Sequence, residues 1–141
     1  MIVAQTVRRN EHSPASRIKS LAYMDNVLAR NEATKAGADD ALMLNTAGNL
    51  ACATVGNVFL LIDGGMLTPP VGDGALPGIA RADVIALTKA EERTITPEML
   101  SRAAEAFITN ALGLRPIVAI DGAPVGDGAV GLITQLVATR V

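Results

Sequence analysis

Ala41-Leu42-Met43-Leu44-Asn45, Leu50-Ala51-Cys52-Ala53-Thr54 and Val58-Phe59-Leu60-Leu61-Ile62 are three short apolar runs in quick succession. Thr46-Ala47-Gly48-Asn49 separates the first two, and Asp63-Gly64-Gly65 leads from the third into Met66-Leu67-Thr68. Each run is too short for a buried helix and is bounded by turn residues, so this third of the chain reads as an antiparallel meander of strands.

Working outward, Ile2 to Val7 is rich in β-branched residues and reads as a strand. From Leu21 to Ala36 the pattern turns helical, with Leu21, Met24, Val27, Leu28 and Ala36 on one broad face and Gly37 placed to end it. Beyond the meander, Pro69-Pro70, Gly72-Asp73-Gly74 and Pro77-Gly78 make a loop that no regular element crosses. A helix is expected from Ile79 to about Ala90, and Thr96-Pro97-Glu98 is a helix start. Ala106 to Thr109 and Pro116 to Ile120 read as strands, Asp121-Gly122 as a turn, and Val130 to Ala138 as a last helix. Strands and helices mix without regular alternation, which predicts a mixed α/β or α+β domain and no doubly wound sheet.

The chain has 141 residues, 50% of them hydrophobic, 18% charged and 2% aromatic, enough for one packed domain. Mean hydropathy is positive, which excludes a disordered chain. Phe59, Phe107 and Tyr23 are the whole aromatic inventory, so the core must be built from small and aliphatic side chains. A net charge of −2 and the lack of a basic run argue against a nucleic-acid surface. No apolar stretch approaches the ~20 residues that span a bilayer. The single cysteine, Cys52, cannot form an internal disulfide, and with no secretory signal pattern at the start the expectation is a cytoplasmic protein without a membrane partner.

Chemistry is concentrated in few residues. His12 lies in a polar loop with no second ligand at metal-binding spacing, so it reads as a solvated residue and no metal is expected. The glycines form neither a dinucleotide fingerprint nor a phosphate loop ending in Gly-Lys. Lys19 stands at a loop-to-helix junction between Ile18 and Leu21, apolar neighbours whose contact would desolvate it and free its amine as a nucleophile; taken alone, a lysine there more often reads as a solvated surface residue. Cys52 taken by itself reads as a small buried core residue, and Asn57 as a turn residue satisfying local backbone.

The run Arg17-Ile18-Lys19-Ser20-Leu21-Ala22-Tyr23-Met24-Asp25-Asn26-Val27-Leu28-Ala29-Arg30 closely resembles the segment around the Schiff-base lysine of the class IV aminotransferases. These are the fold type IV pyridoxal-phosphate enzymes, among them branched-chain and D-amino-acid aminotransferases and aminodeoxychorismate lyase. The likeness continues in register through Ala36-Gly37-Ala38-Asp39-Asp40-Ala41-Leu42, Gly56-Asn57-Val58-Phe59, Leu67-Thr68-Pro69-Pro70 and Leu76-Pro77-Gly78-Ile79-Ala80-Arg81. It resumes at Ala106-Phe107-Ile108-Thr109-Asn110, Arg115-Pro116-Ile117 and Ile120-Asp121-Gly122. So many short matches in one order are far more specific than any single motif.

The resemblance implies an antiparallel-rich sheet or pseudo-barrel flanked by helices, and pyridoxal 5'-phosphate as cofactor. It implies amino transfer between an amino acid and a 2-oxo acid, with a lyase or a catalytically inactive domain as alternatives. Lys19 matches the lysine that holds the cofactor aldehyde and moves the substrate proton. Gly78, Ile79 and Ala80 match the phosphate loop at a helix start, with alanine where relatives usually have threonine. Asn110 and Ala111 match a second phosphate-contacting turn, Asn57 an asparagine beside the cofactor, and Tyr23 the one ring expected near it. Cys52 occupies the position of a glutamate that pairs with the pyridine nitrogen, so the electron sink is expected to be weaker.

Relatives are roughly twice as long and carry a smaller N-terminal domain. Residues 1–141 therefore read as one cofactor-binding domain matching the C-terminal half of such enzymes, without the small domain. A further short gap relative to the family is expected between Leu87 and Glu91. A homo-oligomer, a dimer by family resemblance, follows from the apolar surface such a chain exposes.

Overall fold

The computed structural model describes residues 1–141. Its strands are β1 (Ile2–Val3), β2 (Ala41–Leu44), β3 (Leu50–Ala53), β4 (Asn57–Ile62), β5 (Gly65–Thr68), β6 (Glu91–Glu92), β7 (Ala103–Asn110), β8 (Gly113–Pro116), β9 (Ala119–Ile120) and β10 (Ala123–Pro124). The helices are α1 (Met24–Lys35), α2 (Ile79–Thr88), α3 (Pro97–Leu100) and α4 (Leu132–Ala138). This is a mixed α+β fold, and no helix is long and apolar enough to cross a membrane.

The three central runs are strands, but they do not form one meander. β2 pairs antiparallel with β3 and parallel with β1, in a three-stranded sheet. β4 leaves that sheet and joins a five-stranded one of order β6-β5-β4-β7-β8, in which β4 pairs antiparallel with both β5 and β7. The turn Thr54-Val55-Gly56 carries the chain from one sheet to the other. It thereby opens a gap between them.

Why these strands are apolar at every position follows from the layers. In β4, Val58, Leu60 and Ile62 face a large core between the sheets, while Phe59 faces the opposite side with Met66, Val84, Phe107 and Val137, under α2 and α4. In β2, Leu42 and Leu44 enter the large core, and Ala41 and Met43 face α1. Period-two alternation on a sheet buried on both faces produces a continuous hydrophobic run. Phe59 and Phe107, neighbours across β4 and β7, stack with ring centroids 5.2 Å apart.

Several local expectations change. The first strand stops at Val3, because only Ile2 and Val3 find partners on β2. α1 starts at Met24 instead of Leu21; it buries Asn26, Ala29 and Ala33 and exposes Met24, Val27 and Leu28, while Leu21 and Ala36 are exposed just outside it. The face expected to be core is the outer one: α1 lies on Ala4, Ala41, Met43 and Ala51, and small residues let the helix approach that close. α2 ends at Thr88, where Lys89 turns left-handed, short of Ala90. Gly113 to Pro116 forms the edge strand β8, which the Leu-Arg-Pro sequence does not advertise. Asp63-Gly64 and Asp121-Gly122 have paired positive φ values and close the hairpins β4–β5 and β9–β10. Helix α3 begins after Thr96, with Pro97 in its first turn, as the sequence predicts.

Candidate functional site

The gap between the sheets is the mouth of a cavity of about 850 Å³. Four segments wall it: the irregular chain before α1, the β3–β4 connection, the loop entering α2, and the β7–β8 turn. All nine residues singled out in the sequence line it: Lys19, Tyr23, Cys52, Asn57, Gly78, Ile79, Ala80, Asn110 and Ala111. They lie as many as 92 positions apart in the chain, from Lys19 to Ala111, so tertiary folding alone brings them together.

Each wall is fixed by identifiable bonds. Tyr23 donates its hydroxyl proton to the Thr54 carbonyl at 2.6 Å, and Asn26 Nδ2 donates to the same oxygen at 2.8 Å. Burial, then the nearby Cys52, pushes the Tyr23 phenol above its ordinary pKa, so the ring stays protonated and keeps donating. Asn57 Nδ2 donates to the Leu76 carbonyl at 2.8 Å, which ties the start of β4 to the loop that feeds α2. Asn110 Nδ2 reaches across to the Val55 carbonyl at 3.0 Å, while its oxygen accepts the Leu112 N–H at 2.8 Å and shapes the β7–β8 turn.

Lys19 and Cys52 differ sharply in exposure. Lys19 is exposed, and its neighbours Ile18 and Leu21 are exposed too, so they do not desolvate it. Cys52 is 6% exposed and belongs to the alanine-rich core under α1 while touching the cavity. Burial pushes its thiol up to about 11, so it is a neutral group near neutral pH, and the Arg9 charge only partly opposes that.

Two arginines were assigned no role in the sequence. Arg9 looks like part of a polar cluster, yet it lines the cavity and braces it: Nε donates to the Gly74 carbonyl at 3.2 Å and Nη2 to the Ser16 carbonyl at 2.9 Å. Arg81 is 5% exposed, donates through Nη2 to the Pro69 carbonyl at 3.0 Å and pairs with Glu92 at 2.7 Å. Its Nε is buried with no partner. Beside it, α2 starts at Gly78 with no side chain capping it, so the first N–H groups of the helix are unpaired and the helix dipole is positive at the cavity edge. His12 remains an exposed loop residue, 3.7 Å from Glu11.

Comparison with known proteins accords with this geometry. The family model for amino-transferase class IV matches residues 1–120. A probable branched-chain-amino-acid aminotransferase of Aquifex aeolicus is 37% identical over 136 residues, covering 91% of this chain and 44% of that protein. A putative branched-chain-amino-acid aminotransferase of Methanocaldococcus jannaschii is 39% identical over 124 residues, with 84% and 43% covered. Among solved structures, the branched-chain amino acid aminotransferase of Escherichia coli superposes with a TM-score of 0.91 at 29% identity, over 96% of this chain and 47% of that one. A putative 4-amino-4-deoxychorismate lyase of Legionella pneumophila gives 0.88 at 30% identity, over 96% and 52%. The chain thus spans about half the length of the relatives it matches.

Proposed function

The chain belongs to the amino-transferase class IV family, and from that premise we propose that it forms the cofactor-binding part of a pyridoxal-phosphate enzyme transferring an amino group between an amino acid and a 2-oxo acid. The observation that carries the reading is one cavity combining an accessible amine, Lys19, with an uncapped helix start at Gly78.

The residues present fit that cofactor. The cavity is within the range of about 300–1,000 Å³ usual for small-molecule sites. The unpaired N–H groups of Ile79 and Ala80, with the unpartnered Nε of Arg81 nearby, suit a phosphate without needing a hydroxyl at Ala80. When bound, the cofactor supplies an aldehyde that takes up an amino group and a ring that withdraws electrons from the substrate carbon. Lys19 holds the aldehyde end and moves a proton at its Nζ. Tyr23 would stand beside the cofactor, and Asn110 and Ala111 would offer its phosphate a second turn. Lys19 is exposed, so its amine is accessible from the cavity mouth.

Exposed Ile18, Leu21, Ile79 and Leu112 line that cavity. They support an assembly, with the chain acting as the large-domain half of a two-domain active unit and pairing into a homodimer. Size-exclusion chromatography of the purified chain tests the assembly: a clean monomer counts against it.

Cys52 favours a second reading, cofactor binding without turnover. Its neutral thiol gives a pyridine nitrogen no charge to hold a proton. Absorption spectroscopy with borohydride trapping tests the primary claim. The expected result is a visible band whose reduction leaves a phosphopyridoxyl mass on the Lys19 peptide and none in Lys19→Ala. A colourless protein that takes up no cofactor overturns both readings. A coloured protein inert towards every amino donor leaves the binding-only one.

A further inference from the structure

Behind Tyr23 and Asn26 lies a second cavity, of about 560 Å³, between α1 and the β7–β8 turn. Its only charged lining residues are Arg30 and Arg115, and no acid joins them. They meet at Asp40, which precedes β2 and is 2% exposed. Asp40 Oδ2 accepts from Arg115 Nη2 at 2.9 Å and stands 3.1 Å from Arg30 Nη1, while Oδ1 accepts the Ala41 N–H at 2.8 Å and the Thr54 hydroxyl.

The valences do not balance. The carboxylate of Asp40 is saturated by four donors. Each guanidinium has five N–H groups, and Asp40 is the single side-chain partner of both arginines. Two cations share one anion, so a positive charge is left over, and both arginines are about half exposed with donors to spare. Around them the walls are aliphatic, from Val27, Val55 and Leu112, with the Asn31 amide at the edge. A bidentate anion fits the spare guanidinium edges better than a point contact would.

We propose that this cavity binds a carboxylate carried on a short aliphatic chain, the carboxylate bridging Arg30 and Arg115 and the chain lying on Val27, Val55 and Leu112. The ligand has two sources. Tyr23, Asn26, Val55, Asn110 and Leu112 line both cavities, so the carboxylate belongs either to a free acid or to the distal end of a molecule that also occupies the first cavity. The second source rests on the function proposed above; the site itself does not.

The test is binding to the full chain without cofactor, so that failure to take up pyridoxal phosphate leaves it decidable. Valerate, glutarate and the uncharged isostere valeramide are titrated into 15N-labelled protein. Valerate or glutarate should shift the amide signals of residues around Arg30 and Arg115, and valeramide should not. Arg30→Gln and Arg115→Gln should each raise the dissociation constant tenfold or more. Each variant leaves Asp40 its other arginine, and Arg115→Lys, which keeps the charge, should lose less. Glutarate shifting Ala80 and Ala111 as well, and binding tighter than valerate, identifies a ligand spanning both cavities. Equal affinity with shifts confined to the second cavity identifies a free acid. No response to either acid, or an equal response to valeramide, overturns the site.

Discussion

Asn57 leaves no room for a side chain on Gly78: a β-carbon there would stand 2.7 Å from Asn57 Oδ1. With Nδ2 of the same amide bonded to Leu76, the start of β4 sets the position of the loop and of the first turn of α2. Gly78→Ala must therefore push Asn57 or the loop aside. Cofactor affinity, read by absorbance titration, is expected to fall tenfold or more. Asn57→Ala removes the collision but frees the Leu76 carbonyl, and should cost about 1 kcal/mol in urea unfolding.

Replacing the thiol tests its electronic role. Cys52→Glu sets a carboxylate at the buried edge of the cavity beside Arg9, and without cofactor should lower stability on the order of 2 kcal/mol, since burial penalises the charge. Bound cofactor should recover part of that loss. The single-turnover rate with an amino donor, followed by stopped-flow absorbance, should rise above that of the parent chain.

Acid sensitivity has a clear local source. The Thr46 N–H, aided by the Thr46 hydroxyl, holds the Glu11 carboxyl at about 2, against 4.5 for a free glutamate. A depressed pKa means stability present above 4.5 and lost as pH falls through about 2. Glu11→Gln should be less stable than the parent at pH 7. The gap between their melting temperatures should narrow steadily below pH 4.5.

Asp40→Asn breaks the buried ion cluster from its centre. The expected loss is roughly 3 kcal/mol, the low end for breaking a buried pair, because the freed arginines are half exposed and can rehydrate. Chemical denaturation at neutral pH measures it.

The close approach of α1 to its sheet gives the last comparison. Ala33 is wholly buried against Ala4, Ala41 and Met43, so Ala33→Leu should overpack and cost about 1–3 kcal/mol. Val27→Ala, on the exposed face, should change stability by less than about 0.5 kcal/mol. Equal effects from the two changes would restore the opposite orientation of the helix.

Which parts of this were readable in advance follows from the range of the interactions. Strands at 41–44, 50–53 and 57–62 are legible because burial on both faces writes an uninterrupted apolar run. The transfer of β4 to a second sheet is not, since pairing partners such as Phe107 lie far along the chain and leave no local mark on Phe59. The orientation of α1 is not legible because residue size does not follow burial there: its packed face consists of Asn26, Ala29 and Ala33, and bulky Met24, Val27 and Leu28 are exposed. The nine cavity residues were found through family resemblance, as residue-level patterns said little of them. Arg30, Asp40 and Arg115 escaped notice because 75 positions separate Asp40 from Arg115, and no motif announces their meeting.

Thr54 lines the second cavity and bonds residues that wall the first. Its carbonyl holds Tyr23 and Asn26, and its hydroxyl holds Asp40. A shift of this one residue changes the aromatic wall on one side and the arginine cluster on the other, so the two sites are energetically linked. Substitutions at Tyr23 and at Arg115, harmlessly independent by distance along the sequence, should therefore not add: their double-mutant cycle should leave a residual term that vanishes when Thr54 is replaced by valine.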